Sequence, residues 1–97
     1  MKYNYYKTDG TKEIIETKKP MSLDLLQHLV GGSIELVRLK NGNELFVNEE
    51  GAIKSLPRNP HFTQEDVSVD LSHMGNRLLG NIIEGRTDGE GEFIGID

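Results

Sequence analysis

Three dipeptides, Asp9-Gly10, Asn41-Gly42 and Asp88-Gly89, punctuate this chain between short runs in which apolar and polar residues alternate. Asn-Gly and Asp-Gly supply the positive-φ positions that close β-hairpins, so the spacing predicts an antiparallel sheet built from hairpins. As two-residue loops they fix the register. The first pairs about Lys2–Thr8 with Thr11–Thr17, sets Tyr5 opposite Ile14 and Tyr3 opposite Glu16, and leaves Ile15 on the other face beside Asn4. The second pairs Ser33–Leu39 with Glu44–Glu49 and sets Leu36 opposite Val47 and Arg38 opposite Leu45. Ile34, Leu36, Leu45 and Val47 then share a face, while Val37 and Phe46 make the other apolar too, so this hairpin needs cover on both sides. The third pairs Asn81–Arg86 with Glu90–Ile96, with Ile83 opposite Ile94 and Glu84 opposite Phe93. Its glycines, Gly85, Gly91 and Gly95, permit sharp bending or close backbone approach.

Between the first two hairpins lies "MSLDLLQHLVGG". Ser22 is a good N-cap, Met21 and Leu26 occupy the hydrophobic-staple positions, and Asp24 suits the positive end of the helix dipole. Gly31 supplies a left-handed stop. The expected helix is Leu23 to Val30, burying Leu25, Leu26, Leu29 and Val30 and leaving His28 on the surface. From Ala52 to Gly80 the pattern is irregular. Pro57 and Pro60 force the residues before them out of helical geometry. Thr63 with Gln64-Glu65-Asp66 starts a short helix, the alternation of Val67, Val69 and Leu71 suits a strand, and "SHMGN" reads as a loop. The expected class is α+β: a mostly antiparallel, curled sheet of about six strands with one short helix packed on it. Residues 1–97 form a single domain, an N-terminal hairpin over 1–19 and a core over 20–97.

A 97-residue domain buries a modest fraction of its surface, which makes association with further copies a natural supplement. With no cysteine, the chain carries neither disulfides nor thiolate metal sites and fits a reducing cytoplasm. No apolar run reaches membrane-spanning length, and the N-terminus lacks a signal peptide's apolar core, so a soluble cytoplasmic protein is expected. The formal net charge of -5 makes duplex nucleic acid a poor partner.

Catalytic signatures are lacking. Adjacent Glu49 and Glu50 at a strand end point to opposite sides, which is wrong for a cooperating acid–base pair. The serines form no nucleophile elbow, "GEGEFIGID" does not open a helix, and His61 and His73 match no metal motif. No cofactor is expected. The most suggestive stretch is "KSLPRNPHF", a proline-stiffened loop carrying Arg58, Asn59 and His61. Arginine forks onto phosphate, amides read polar edges, and an aromatic ring stacks on a base. Arg38, Asn48 and Arg77 are weaker candidates for the same small-anion site. The bland alternative is a solvated loop, with Asn48-Glu49-Glu50-Gly51 as the strand exit that fixes it. On that geometry Glu49 lies on the core-side face, where Arg38 is a candidate partner.

From Leu23 to about Ile96 the chain resembles a family of small proteins carried by phages, plasmids and other mobile elements of bacteria. The shared pattern is Val30-Gly31-Gly32, Ile34-Glu35, Asn48-Glu49-Glu50-Gly51, Leu56-Pro57-Arg58-Asn59 and Gly80-Asn81-Ile82-Ile83. The resemblance leaves out the first hairpin and implies an origin rather than a reaction. The resulting expectation is a non-enzymatic, self-associating protein that blunts host defence by sequestering a small anionic ligand, a signalling nucleotide. Two alternatives are a module that blocks a nucleic-acid-binding host protein and a nucleotide hydrolase.

Overall fold

The computed structural model describes residues 1–72 and 77–97. Strand β1 (Lys2–Tyr6) pairs with β2 (Lys12–Glu16), helix α1 (Leu23–Val30) follows, and β3 (Ile34–Arg38) pairs with β4 (Glu44–Asn48). A short 3₁₀ turn spans Gln64–Asp66, and β5 (Ile82–Thr87) leads into the brief β6 (Phe93–Ile94). All pairings are antiparallel, in the order β2-β1-β5-β4-β3, with β6 against the far end of β5. The sheet is curled and open, with β2 and β3 at its edges. The expected α+β class is therefore observed. Because β1 lies beside β5 at the centre, the N-terminal hairpin is integral to the sheet.

The helix follows its sequence signals. The Ser22 side chain accepts a hydrogen bond from the Leu25 N–H, and Gly31 stops the helix at φ 85°. Leu26 and Val30 are buried, Leu25 and Leu29 half-buried, and His28 exposed. Met21 and Leu26 close the staple over Tyr3 and Tyr5.

Every hairpin register differs from the expectation. Observed partners are Tyr3 with Ile15, Asn4 with Ile14, Val37 with Leu45, Leu36 with Phe46 and Arg38 with Glu44. The loops hold three residues rather than two. The Lys7 N–H bonds the Thr11 carbonyl and the Leu39 N–H bonds the Asn43 carbonyl, each at a loop whose last residue, Gly10 or Gly42, has positive φ. This is the turn-plus-bulge hairpin. One extra residue turns each partner strand over, because side chains alternate with period two. Ile15 consequently joins Tyr3 and Tyr5, while Ile14 stands 64% exposed. In the third hairpin the left-handed residue is Gly91, and Arg86 pairs with Ile94 and Thr87 with Phe93, three positions from the expected register. Gly85 and Gly95 do permit close approach: a Cβ on Gly85 would meet the Ile94 carbonyl and the Phe93 ring at 2.6 Å.

Each face of the sheet buries apolar side chains within the chain. Tyr3, Tyr5 and Ile83 lie beneath the helix with Phe46 and Phe93 packed alongside. On the other face Val37, Leu45, Val47 and Ile82 lie beneath Phe62, Val67, Leu71 and Leu78, all from the irregular segment. Full burial of each such side chain stabilises by about 1.5–3 kcal/mol. Val67, Val69 and Leu71 do not form the expected strand. Val67 makes a single bridge to Leu39, and the segment acts as an apolar cover. Most of "SHMGN" falls outside the described residues.

Candidate functional site

The cover does not extend over the whole face. Alternation along the paired strands brings Asn4, Tyr6 and Glu84 to the same side as Leu45 and Ile82. Here a cleft of about 340 Å³ opens between the sheet and the 3₁₀ turn, lined by Tyr6, Leu39, Lys40, Asn41, Phe62, Glu65, Asp66 and Glu84. Its walls come from opposite ends of the chain and converge because β1 and β5 are neighbours.

Glu84 is the centre of this site. It is 5% exposed. Its Oε1 accepts from Asn4 Nδ2 at 3.0 Å and from the Tyr6 hydroxyl at 2.7 Å, and its Oε2 accepts from Asn43 Nδ2 at 3.0 Å. A buried carboxylate ordinarily has a cation, because losing water is costly for a charge. Here three neutral donors take the place of one. Tyr6 keeps its proton for this purpose: burial, the hydrogen bond to Glu84 and the Glu84 charge all push the phenol up.

The aromatic wall is fixed from behind. Phe62 meets Tyr6 edge-on with centroids 4.8 Å apart, and His61 packs on Tyr6 at 4.9 Å. His61 Nε2 lies 3.2 Å from the Thr11 carbonyl oxygen. Lys12 Nζ stands 5.6 Å above the Tyr6 ring. None of the ion pairs found among the described residues engages Lys12, Lys40 or Arg86. Arg86 leaves the same face two positions beyond Glu84. Although Glu65, Asp66 and Glu84 all line the cleft, no group of three or more His, Asp or Glu close enough for a metal centre occurs among the described residues.

The residues singled out in the sequence do not converge on one pocket. Asn59 is fully buried; its Nδ2 donates to the Tyr6 and Gly80 carbonyls, both at 3.0 Å, and its Oδ1 accepts from the His61 N–H. Its amide fixes the loop to β1 and to the turn before β5. Asn48 is likewise buried, with Nδ2 donating to the Val30 carbonyl at 3.3 Å and Oδ1 accepting from the Glu50 N–H at 2.8 Å. The Asn48–Gly51 stretch is thus a strand exit tied to the helix end. Glu49 is exposed rather than core-facing, and Arg38 pairs instead with Glu44 at 3.0 Å, on the helix side of the sheet. Arg58 and Arg77 are exposed. None of the six is among the residues lining the cleft; His61 packs on the Tyr6 ring and Asn59 bonds the Tyr6 carbonyl.

The sequence reading missed Glu84, Asn4, Tyr6 and Asn43. The available signal was Glu84 itself, a carboxylate following two isoleucines in a strand between two others. A second cleft, of about 290 Å³, lies at the helix C-terminus against Leu56, Pro57, Gly80 and Asn81. Two of its polar side chains are engaged with each other: Asn81 Nδ2 donates to the Tyr5 hydroxyl at 3.1 Å, and that hydroxyl donates to the Leu29 carbonyl at 2.6 Å.

The whole chain, residues 1–97, matches the family described as Domain of unknown function (DUF3846). The chain belongs to this family. The match includes the first hairpin, which the motif resemblance left out, in keeping with the central place of β1 in the sheet. No curated protein and no solved structure matches the chain. Among the described residues, no helix is long and apolar enough to cross a membrane.

Proposed function

We propose that this DUF3846 domain is a non-enzymatic binding protein whose ligand is a small signalling nucleotide, held in the cleft over Glu84. The observation that carries this is the composition of the cleft. An aromatic wall of Tyr6 and Phe62 adjoins a buried acceptor, Glu84, with Lys40 in the lining and Lys12 above Tyr6. Bases are bound by stacking and by hydrogen bonds to their polar edges, and phosphates by cations. The cleft lies within the size range of small-ligand pockets. It supersedes the Arg58 loop as the centre of the proposed site, with His61 and Asn59 supporting its wall. Binding is favoured over turnover by the state of Glu84, which three donors fix as an acceptor.

The likeness of the central motifs to proteins of phages and plasmids supports the use: sequestration of a host signalling nucleotide in the bacterial cytoplasm, to the detriment of host defence. Calorimetry against a panel of linear and cyclic nucleotides tests the binding step, with mass spectrometry of small molecules retained by the purified protein. Micromolar or tighter binding of at least one nucleotide, recovered chemically unchanged, is the expected result. Silence across the panel sinks the proposal. Turnover of the ligand transfers it to the hydrolase alternative, and a stoichiometric protein partner from host lysate to the protein-blocking one.

A further inference from the structure

The state of Glu84 says more about what enters the cleft. An ionised carboxylate offers about four acceptor positions and no donor. Among the described residues three are filled, two on Oε1 by Asn4 and Tyr6 and one on Oε2 by Asn43. The remaining capacity is on Oε2. Glu65 and Asp66 add two more carboxylates to the lining against one lysine. A group bearing ring-nitrogen acceptors toward this wall would meet lone pairs with lone pairs. A planar group bearing N–H donors would meet an acceptor that no ion pair among the described residues engages, beside the Tyr6 and Phe62 rings.

We infer that the cleft selects a planar N–C–N edge carrying adjacent N–H donors, one read by the open position on Glu84 Oε2 and the other left to the Glu65 and Asp66 carboxylates that share the lining. Two kinds of molecule carry this edge: the Watson–Crick side of guanine, and a free guanidinium such as that of agmatine. Adenine presents a ring acceptor at the corresponding position and is disfavoured. This inference rests on the Glu84 cleft being the binding site, and for the guanine source it also rests on the nucleotide proposal. Hydrogen bonds to a charged acceptor in a desolvated site discriminate by about 10- to 100-fold per edge.

The test is calorimetry of the unmodified protein with guanosine, inosine and adenosine monophosphates and with agmatine. The expected order is guanosine above inosine, which lacks the exocyclic amine, above adenosine, with about 10-fold or more between the first and the last. Equal affinity for guanosine and adenosine monophosphates overturns the donor-edge inference and leaves nucleotide binding standing. Agmatine binding without any of the three monophosphates upholds the donor edge and overturns its guanine source. Silence in all four arms overturns the donor-edge inference, and the nucleotide proposal is decided by the wider panel. Glu84→Gln, checked by circular dichroism for retention of the fold, is expected to abolish the guanosine preference. Retention of that preference in a folded Glu84→Gln protein overturns the role given to Glu84. Should that variant not fold, the inosine comparison on the unmodified protein still decides the donor edge.

Discussion

Among the described residues, each face of the sheet buries one carboxylate, and the two are handled differently. Glu44, 3% exposed, lies on the helix side, where Arg38 pairs with it at 3.0 Å and the Thr87 hydroxyl donates a further hydrogen bond. Glu84, 5% exposed and one strand away, lies on the opposite side with donors from two amides and a phenol. Glu44 is compensated in charge as well as in hydrogen bonds, and nothing about it points to a ligand. Glu84 is satisfied by neutral hydrogen-bond donors next to a cleft, and no ion pair among the described residues engages it. The first arrangement is closed within the sheet and helix, whereas the second leaves Glu84 in the lining of a cleft.

The widest test of the contrast is whether both faces are closed by the chain itself. Leu45 and Ile83 are fully buried on opposite faces, Leu45 directly opposite Glu84. Leu45→Ala and Ile83→Ala should each cost about 3 kcal/mol in chemical denaturation. Each face then contributes comparably. Midpoints should not move with protein concentration, because the helix and the irregular segment supply the cover. A concentration-dependent midpoint, or a cost at one face below about 1 kcal/mol, would show that face to be completed by a second copy.

Next in size is the removal of the amide that holds the cleft's rear wall. Asn59→Ala leaves the Tyr6 and Gly80 carbonyls and the His61 N–H without their partner, and should cost about 2 kcal/mol. Because His61 packs on Tyr6, the same change should also weaken any ligand bound over Glu84. Asn48→Ala should cost a similar amount without affecting such a ligand, since its bonds run to the helix end. Equal loss of binding in both variants would mean that destabilisation, and not the wall, governs the cleft.

The helix was legible to the residue, because cap, staple and stop are local signals that agree. The hairpins were legible in number but not in register. Asp-Gly and Asn-Gly fit a two-residue loop and the last two positions of a three-residue one equally well. Side-chain bonds tip the choice: the Asp9 and Asn41 carboxyl and amide oxygens accept from the N–H groups of Thr11 and Asn43. A single residue then decides whether Ile14 or Ile15 is buried. Glu84 was hidden for another reason. Its partners Asn4 and Tyr6 come from β1 and Asn43 from the loop end just before β4, and only the order β1-β5-β4 brings them together. The loop of Arg58 and Asn59 looked like a site because prolines and polar side chains mark exposed loops. Asn59 in fact turns inward, a choice that depends on the distant Tyr6 and Gly80 carbonyls.

The smallest effect concerns the compensated carboxylate. Burial pushes Glu44 up, but the hydrogen bonds from Thr87 and Arg38 and the Arg38 charge outweigh it and hold the carboxyl below its ordinary value. A carboxyl depressed in the folded state stabilises above its unfolded pKa, and that stability is lost as pH falls through the folded value. Arg38→Met removes the guanidinium and leaves the Thr87 bond. The Arg38 side chain is 64% exposed, so solvent screens the pair, and the change should cost about 0.5–1 kcal/mol at pH 7. The gap between the two proteins should narrow as pH drops below the carboxylate range, because a protonated Glu44 gains little from Arg38. Denaturation at pH 7 and pH 3 measures it. Parallel losses at both pH values would assign the role of Arg38 to packing of its aliphatic stem, and the distinction between the two buried carboxylates would then rest on Glu84 alone.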